Sequence, residues 1–151
     1  MTINRGSLVQ TLLRTTRFGD VSVDEGRVFA FADGLLGFPT ATQFVALDVD
    51  DASDIYWLQC VNDGALAFLA ISPWAYFPDY TPEIDENDQV ALGLDRADDA
   101  TLLCLLTVDR DADLITANLL GPIVLNTTLR RGRQVVLEDV RWPLAARLGS
   151  S

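Results

Sequence analysis

The sequence predicts an all-β fold: a single-domain antiparallel, barrel-like structure with one or two short helices. Three observations carry that prediction. Short apolar runs recur at least eight times along the 151 residues. The stretches between them hold turn-forming residues at intervals suited to a sandwich or barrel. Helix signatures, by contrast, are scarce.

Taken in order, residues 1–16 hold only a short apolar patch interrupted by Gln10 and Arg14, and read as a flexible N-terminal extension. Phe18, Val21 and Val23 lead into Val28-Phe29-Ala30-Phe31 across the turn-like Asp24-Glu25-Gly26. Phe44–Val49 follows. Ile55–Val61 and Ala65–Ile71 are split by Asn62-Asp63-Gly64, and an Asp-Gly pair between apolar runs is a hairpin signal. Asn87 or Asp88 is positioned to cap a short helix that Gly93 ends. Thr101–Val108, Leu114–Leu120 and Ile123–Leu129 are further strands, and Arg131-Gly132 turns the chain into Gln134–Leu137. Pro143–Leu148 has room for one helical turn. The expected domain is 17–148, with 149–151 as a frayed tail.

Composition narrows the chemistry. Hydrophobic residues make up 49% of the chain and charged residues 22%, ample for a core. There is no histidine, and every one of the 11 basic residues is arginine. A Ser-His-Asp or Cys-His nucleophile, a histidine metal ligand and a lysine Schiff base are therefore excluded. The formal charge is −11 and the pI is near 4.1, which speaks against a nucleic-acid surface and reads either as attraction for a basic protein partner or as solubility alone. Residues 20–113 carry the negative charge, twenty acids against three arginines for a net −17, while both ends are mildly positive.

Cys60 and Cys104 lie inside apolar runs and read as buried free thiols. No stretch resembles a signal peptide or approaches the roughly 18 apolar residues of a membrane helix. A cytoplasmic monomer without membrane contact is expected.

Asp109-x-Asp111-x-Asp113 imitates the start of a calcium loop, but Leu114 stands where glycine is required and Leu120 where glutamate is required. It reads as an acidic hairpin tip, and neither metal nor cofactor is expected. Asp85-Glu86-Asn87-Asp88 reads as the solvated start of a helix. Arg130-Arg131-Gly132-Arg133 is either a charged turn or a grip for an acidic group. Residues 72–82 concentrate Trp74, Tyr76, Phe77 and Tyr80 among Pro73, Pro78 and Pro82. Stiff aromatic loops of this kind suit an interaction hot spot, or else fold back onto the barrel. Gln59, Asn118 and Asn126 place amides among apolar residues, so each needs a partner or serves as a contact group.

Phe31-Ala32-Asp33-Gly34-Leu35-Leu36-Gly37-Phe38 resembles the F-P-x-G-L-x-G-F signature of the flagellar assembly factor FliW family. Trp57-Leu58-Gln59 agrees as well. So do Leu66-Ala67-Phe68 running through Ser72-Pro73 to Phe77-Pro78-Asp79-Tyr80, and Thr116-Ala117-Asn118-Leu119-Leu120-Gly121-Pro122-Ile123-Val124-Leu125-Asn126. These blocks occur in order, and the resemblance covers residues 17 to 140. Ala32 and Gly64 stand where the family has proline, and Gly121 where alanine is common.

The resemblance implies a non-enzymatic regulator. It would bind the translational repressor CsrA and flagellin, with free flagellin displacing CsrA, and would not bind nucleic acid directly. The implied partner surface is Phe77, Pro78, Asp79 and Tyr80 with Gln59 and Asn118. The competing readings are a carboxylate-based enzyme acting on a sugar or small acid, which needs a pocket with two carboxylates, and a generic acidic interaction module.

Overall fold

Successive side chains of a strand point to opposite faces, and here both faces of most strands are covered. The structure is a computed structural model that describes residues 10–49 and 54–148. Its strands are β1 (Gln10–Thr15), β2 (Gly19–Asp24), β3 (Phe29–Ala30), β4 (Gln43–Asp48), β5 (Ile55–Cys60) and β6 (Ala67–Ile71). After helix α1 (Glu86–Leu92) come β7 (Thr101–Asp109), β8 (Leu114–Ala117), β9 (Ile123–Asn126), β10 (Arg131–Gln134) and β11 (Ala146–Arg147).

Seven strands close a barrel in the order β7-β6-β5-β4-β3-β10-β9, and β9 returns to β7 by pairing Leu125 with Thr101 and Ile123 with Leu103. Every seam is antiparallel except β3–β10, where Ala30 lies parallel to Arg131. β8 extends the sheet beyond the barrel, and β11 pairs with β8. The hairpin β1–β2 forms a separate two-stranded sheet.

Alternation sorts the core into three clusters. Phe31, Phe44, Leu58, Cys60, Ala70, Leu103 and Ile123 fill the barrel. Their strand neighbours Ile71, Leu102, Cys104 and Val124 face outward to meet Tyr80, Leu92, Leu119, Val135 and Leu137. Leu13, Val23 and Val45 pack beneath the β1–β2 hairpin. Burial on both faces explains why a run such as Leu102–Leu106 is continuously apolar rather than alternating. Cys60 and Cys104 are buried and free, as their sequence context predicted.

Four local expectations are corrected. Residues 10–16 were expected in a flexible extension, yet Gln10–Thr15 pairs residue for residue with Gly19–Asp24. The apolar pattern of this strand is weak because Leu13 is buried while Leu12 is 58% exposed. The hairpin is tied to the barrel where Thr16 N donates to Gly64 O at 3.0 Å, and a Cβ at Gly64 would collide with the Arg14 carbonyl. A side chain there has no room, which accounts for glycine at this position. Residues 1–9 and 149–151 lie outside the described residues.

The helix starts earlier than expected. Asp85, rather than Asn87 or Asp88, caps it by accepting from Asp88 N at 2.9 Å. Gly93 ends it at φ 70° as predicted. Arg131-Gly132 is strand rather than turn. The turn precedes it, with Arg130 at φ 56°, and Gly132 packs flat against the Phe31 ring. Finally, Pro143–Leu148 ends in β11 instead of a helical turn, because Leu148 N reaches Ile115 O at 2.9 Å. The acidic tip between β7 and β8 forms as expected, and Asp109 Oδ1 accepts from Ala112 N.

Candidate functional site

The aromatic loop is built on its own backbone. Pro73 opens a 3-10 turn, and its carbonyl accepts from both Tyr76 N at 3.0 Å and Phe77 N at 2.8 Å. Tyr80 N then donates to Phe77 O at 3.0 Å, which turns the Tyr80 ring inward. Trp74 Nε1 closes the loop by donating to Tyr80 O at 2.8 Å.

Folding divides these residues into an anchor and a rim. Tyr80 is 2% exposed. Its hydroxyl donates to Leu119 O at 2.6 Å, and its ring meets Trp142 edge-on with centroids 4.9 Å apart. Phe77 is half-buried against the same cluster. Trp74 and Tyr76 stay 44% and 39% exposed, and Pro78 and Asp79 face solvent. The loop is therefore both of the things its sequence allowed: folded back at Tyr80 and presented at Trp74, Tyr76, Pro78 and Asp79.

The Tyr80 hydroxyl joins this loop to the block that contains Asn118. Asn118 is half-buried, and its Oδ1 accepts from Gly121 N at 2.8 Å, holding the turn that carries Leu119. Gln134 Nε2 donates to Gly121 O at 3.0 Å while its Oε1 accepts from Leu36 N at 3.0 Å. Gln134 thus clamps the Phe31–Phe38 block to the Thr116–Asn126 block. Sequence reasoning missed it, since a lone Gln at a strand end carries no pattern.

Gln59 lies elsewhere. It sits opposite Val45 and Ala67 on the face of β5 beneath the β1–β2 hairpin and is 0% exposed. Its Nε2 donates to Cys60 O, Gly64 O and Leu66 O at 3.0 to 3.2 Å. These bonds hold the Asn62-Asp63-Gly64 turn from within. No hydrogen bond or ring contact joins Gln59 to the aromatic loop among the described residues.

Asn126 likewise finds structural partners. Its Nδ2 donates to Leu92 O at 2.9 Å, and its Oδ1 accepts from Thr128 N and Leu129 N. Arg133, read earlier only as part of a basic run, bridges Asp88 at 2.8 Å and Asp33 at 3.1 Å.

Burial sets the titration behaviour. It pushes the Cys104 thiol up to about 12 and raises the Tyr80 hydroxyl and the Cys60 thiol above their ordinary values. Neither cysteine offers a thiolate nucleophile near neutrality.

A cleft of about 450 Å³ between residues 83–88 and 135–139 is rimmed by carboxylates. There, burial and then the neighbouring Asp85 raise Asp88. Asp88 is nonetheless paired with Arg133, and Asp85 is occupied as a helix cap. Both carboxylates hold the fold together. No group of three or more potential metal-ligating side chains occurs among the described residues, and no helix there is long and apolar enough to cross a membrane.

Comparison with known proteins agrees with this geometry. A family model described as FliW protein matches residues 11–148. The chain is 35% identical over 132 residues to the flagellar assembly factor FliW of Syntrophus aciditrophicus, spanning 87% of this chain and 84% of the relative. It is 38% identical over 136 residues to that of a Geobacillus species, spanning 90% and 94%. A crystal structure of the flagellar assembly factor FliW superposes with a TM-score of 0.85 at 35% identity, covering 93% of this chain and 99% of the other. The seven-stranded barrel, the clamped sequence blocks and relatives matched along nearly their whole length place the chain in the FliW family, whose members are flagellar assembly factors and not enzymes.

Proposed function

We propose that this protein is a cytoplasmic, partner-switching regulator of flagellar assembly that binds a CsrA-type translational regulator and flagellin in turn. The observation that carries the reading is the family match across residues 11–148, which leaves no part of the barrel unaccounted for. Free flagellin would displace the CsrA-type partner and so tie flagellin translation to the pool of unassembled subunit. With no histidine in the chain, partner exchange would follow concentration rather than pH.

Surface chemistry supports the reading. Trp74, Tyr76 and Pro78 offer rigid contact area on a loop pinned from below, and Asp79 adds charge. The net −17 of residues 20–113 favours encounter with a basic, RNA-binding partner. In this reading the rim touches the partner. Phe77, Tyr80 and Asn118 position the rim, and Gln59, fully covered, supports the neighbouring turn.

The test is calorimetric titration with a CsrA-type protein at about 50 mM and about 500 mM salt, where screening differs severalfold. Affinity should fall at least ~10-fold at high salt. A flat affinity would remove electrostatic steering as the main contribution. Trp74→Ala with Asp79→Arg should weaken binding to at least one partner, and unchanged affinity for both would move the surface off this loop.

A further inference from the structure

Beyond the aromatic loop, the extended backbone around Val136 has an open edge. After β10 the chain runs on beside residues 120–122, with Val135 N donating to Pro122 O at 3.0 Å and Leu137 N to Leu120 O at 2.8 Å. Amides alternate in direction along an extended chain. The Val136 N–H and C=O therefore face the other way, and neither makes a hydrogen bond among the described residues. The edge is rigid, because Val135 and Leu137 are buried on either side while the Val136 side chain is 56% exposed.

This edge forms one wall of the acidic cleft. The facing wall is Glu83, Ile84, Asp85 and Asp88, and the floor is apolar where Ile84 meets the Val135 and Leu137 cluster. Asp88 and Asp139 are neutralised by Arg133 and Arg141, each at 2.8 Å. Glu83 and Glu138 are exposed and make no ion pair among the described residues. An open edge, an apolar floor and two uncompensated carboxylates thus share one site.

We propose that this cleft takes an extended segment of a partner protein, which adds as a strand along Val136 and carries Lys or Arg beside an apolar side chain. This rests on the reading of the chain as a protein-binding regulator and assigns it a second docking edge. Strand addition supplies main-chain hydrogen bonds for affinity, and the flanking side chains supply the choice of partner. Charge complementarity selects the occupant. A basic segment is attracted by Glu83 and Glu138, whereas a second copy of this chain would bring like carboxylates together.

The probe is a short synthetic peptide of alternating arginine and valine, with a glutamate–valine peptide as control. Each is titrated into the full-length ¹⁵N-labelled protein. Saturable shifts at Ile84, Val136 and Glu138 are expected with the basic peptide and none with the acidic one. Val136→Pro removes the free donor without disturbing a buried side chain and should weaken binding at least ~10-fold. If that variant loses its fold, Glu138→Arg, which alters only an exposed side chain, decides the matter with the same expected weakening.

Unchanged affinity in a folded variant, shifts elsewhere, or equal binding of the acidic peptide would overturn the proposal. So would Val136 shifts that depend on protein concentration alone, which would assign the edge to a second copy. Tighter binding after deletion of residues 1–9 would assign it to the chain's own N-terminus, with the same consequence. Wild-type protein titrated in parallel with flagellin and a CsrA-type protein keeps the two readings separate. Failure to bind either would overturn the functional reading, while the peptide result judges the cleft.

Discussion

Replacing Tyr80 with phenylalanine removes a single oxygen and tests how the aromatic loop is held. The Tyr80 hydroxyl donates to Leu119 O at 2.6 Å inside the cluster of Leu92, Leu119 and Val135. That carbonyl accepts no other hydrogen bond among the described residues. Tyr80→Phe leaves it buried and unsatisfied, at a cost of about 1–3 kcal/mol. Tyr80→Ala also removes the ring that meets Trp142 at 4.9 Å and Trp74 at 6.3 Å. Loss of a buried aromatic costs about 3–5 kcal/mol, against a total stability of about 5–15 kcal/mol for a domain of this kind. Urea unfolding followed by tryptophan fluorescence should show the midpoint falling in the order wild type, Phe, Ala, with the slope unchanged. Losses below about 0.5 kcal/mol for Phe and about 1 kcal/mol for Ala would refute the anchoring role, since a surface ring typically costs no more. Because Tyr80 O also accepts from Trp74 Nε1, weaker partner binding by Tyr80→Ala would report a disordered loop rather than a lost contact.

Two further predictions concern the barrel. Gly132→Ala drives a methyl into the Phe31 ring and should cost about 1–3 kcal/mol in the same assay, and a neutral result would mean the seam between β3 and β10 is loosely packed. Stability should also decline in alkali. Cys104 has an ordinary value of 9.0 and a folded value of about 12, so the contribution of its burial is fully present below pH 9.0 and is lost as pH rises towards about 12. The unfolded chain ionises first, giving a slope of up to about 1.4 kcal/mol per pH unit. Tyr80, raised from 10.0, acts in the same direction at higher pH. Urea midpoints that stay constant across this range would contradict the burial of both groups.

Much of the barrel was legible because its strands bury both faces, which writes them into the sequence as dense apolar runs between Asp-Gly and similar turns. β10 was not legible for the opposite reason. Its inward position is Gly132, filled by the Phe31 ring from just past the end of β3, and Arg133 satisfies its charge on Asp33 and Asp88. β1 escaped notice because its apolar pattern is weak, and the contact that ties its hairpin to the barrel, at Gly64, lies about fifty residues away in the chain and approaches backbone to backbone.

The site divides along the same line. The crowding of aromatics and prolines at residues 72–82 was visible, but which rings turn inward depends on Leu119 and Trp142, and no spacing reveals that. Gln59 shows the limit most clearly. An amide among apolar residues reads equally as contact group or internal clamp until the carbonyls of Cys60, Gly64 and Leu66 are seen around it.

Exchange of two partners on one protein is decided by competition between them. A fluorescently labelled CsrA-type protein is bound to this chain, and unlabelled flagellin is added while anisotropy is followed. Anisotropy should fall to the value of the free labelled protein as flagellin saturates the chain, with a midpoint that rises with the concentration of CsrA-type partner. Anisotropy that stays constant, or rises as a ternary complex forms, would contradict it.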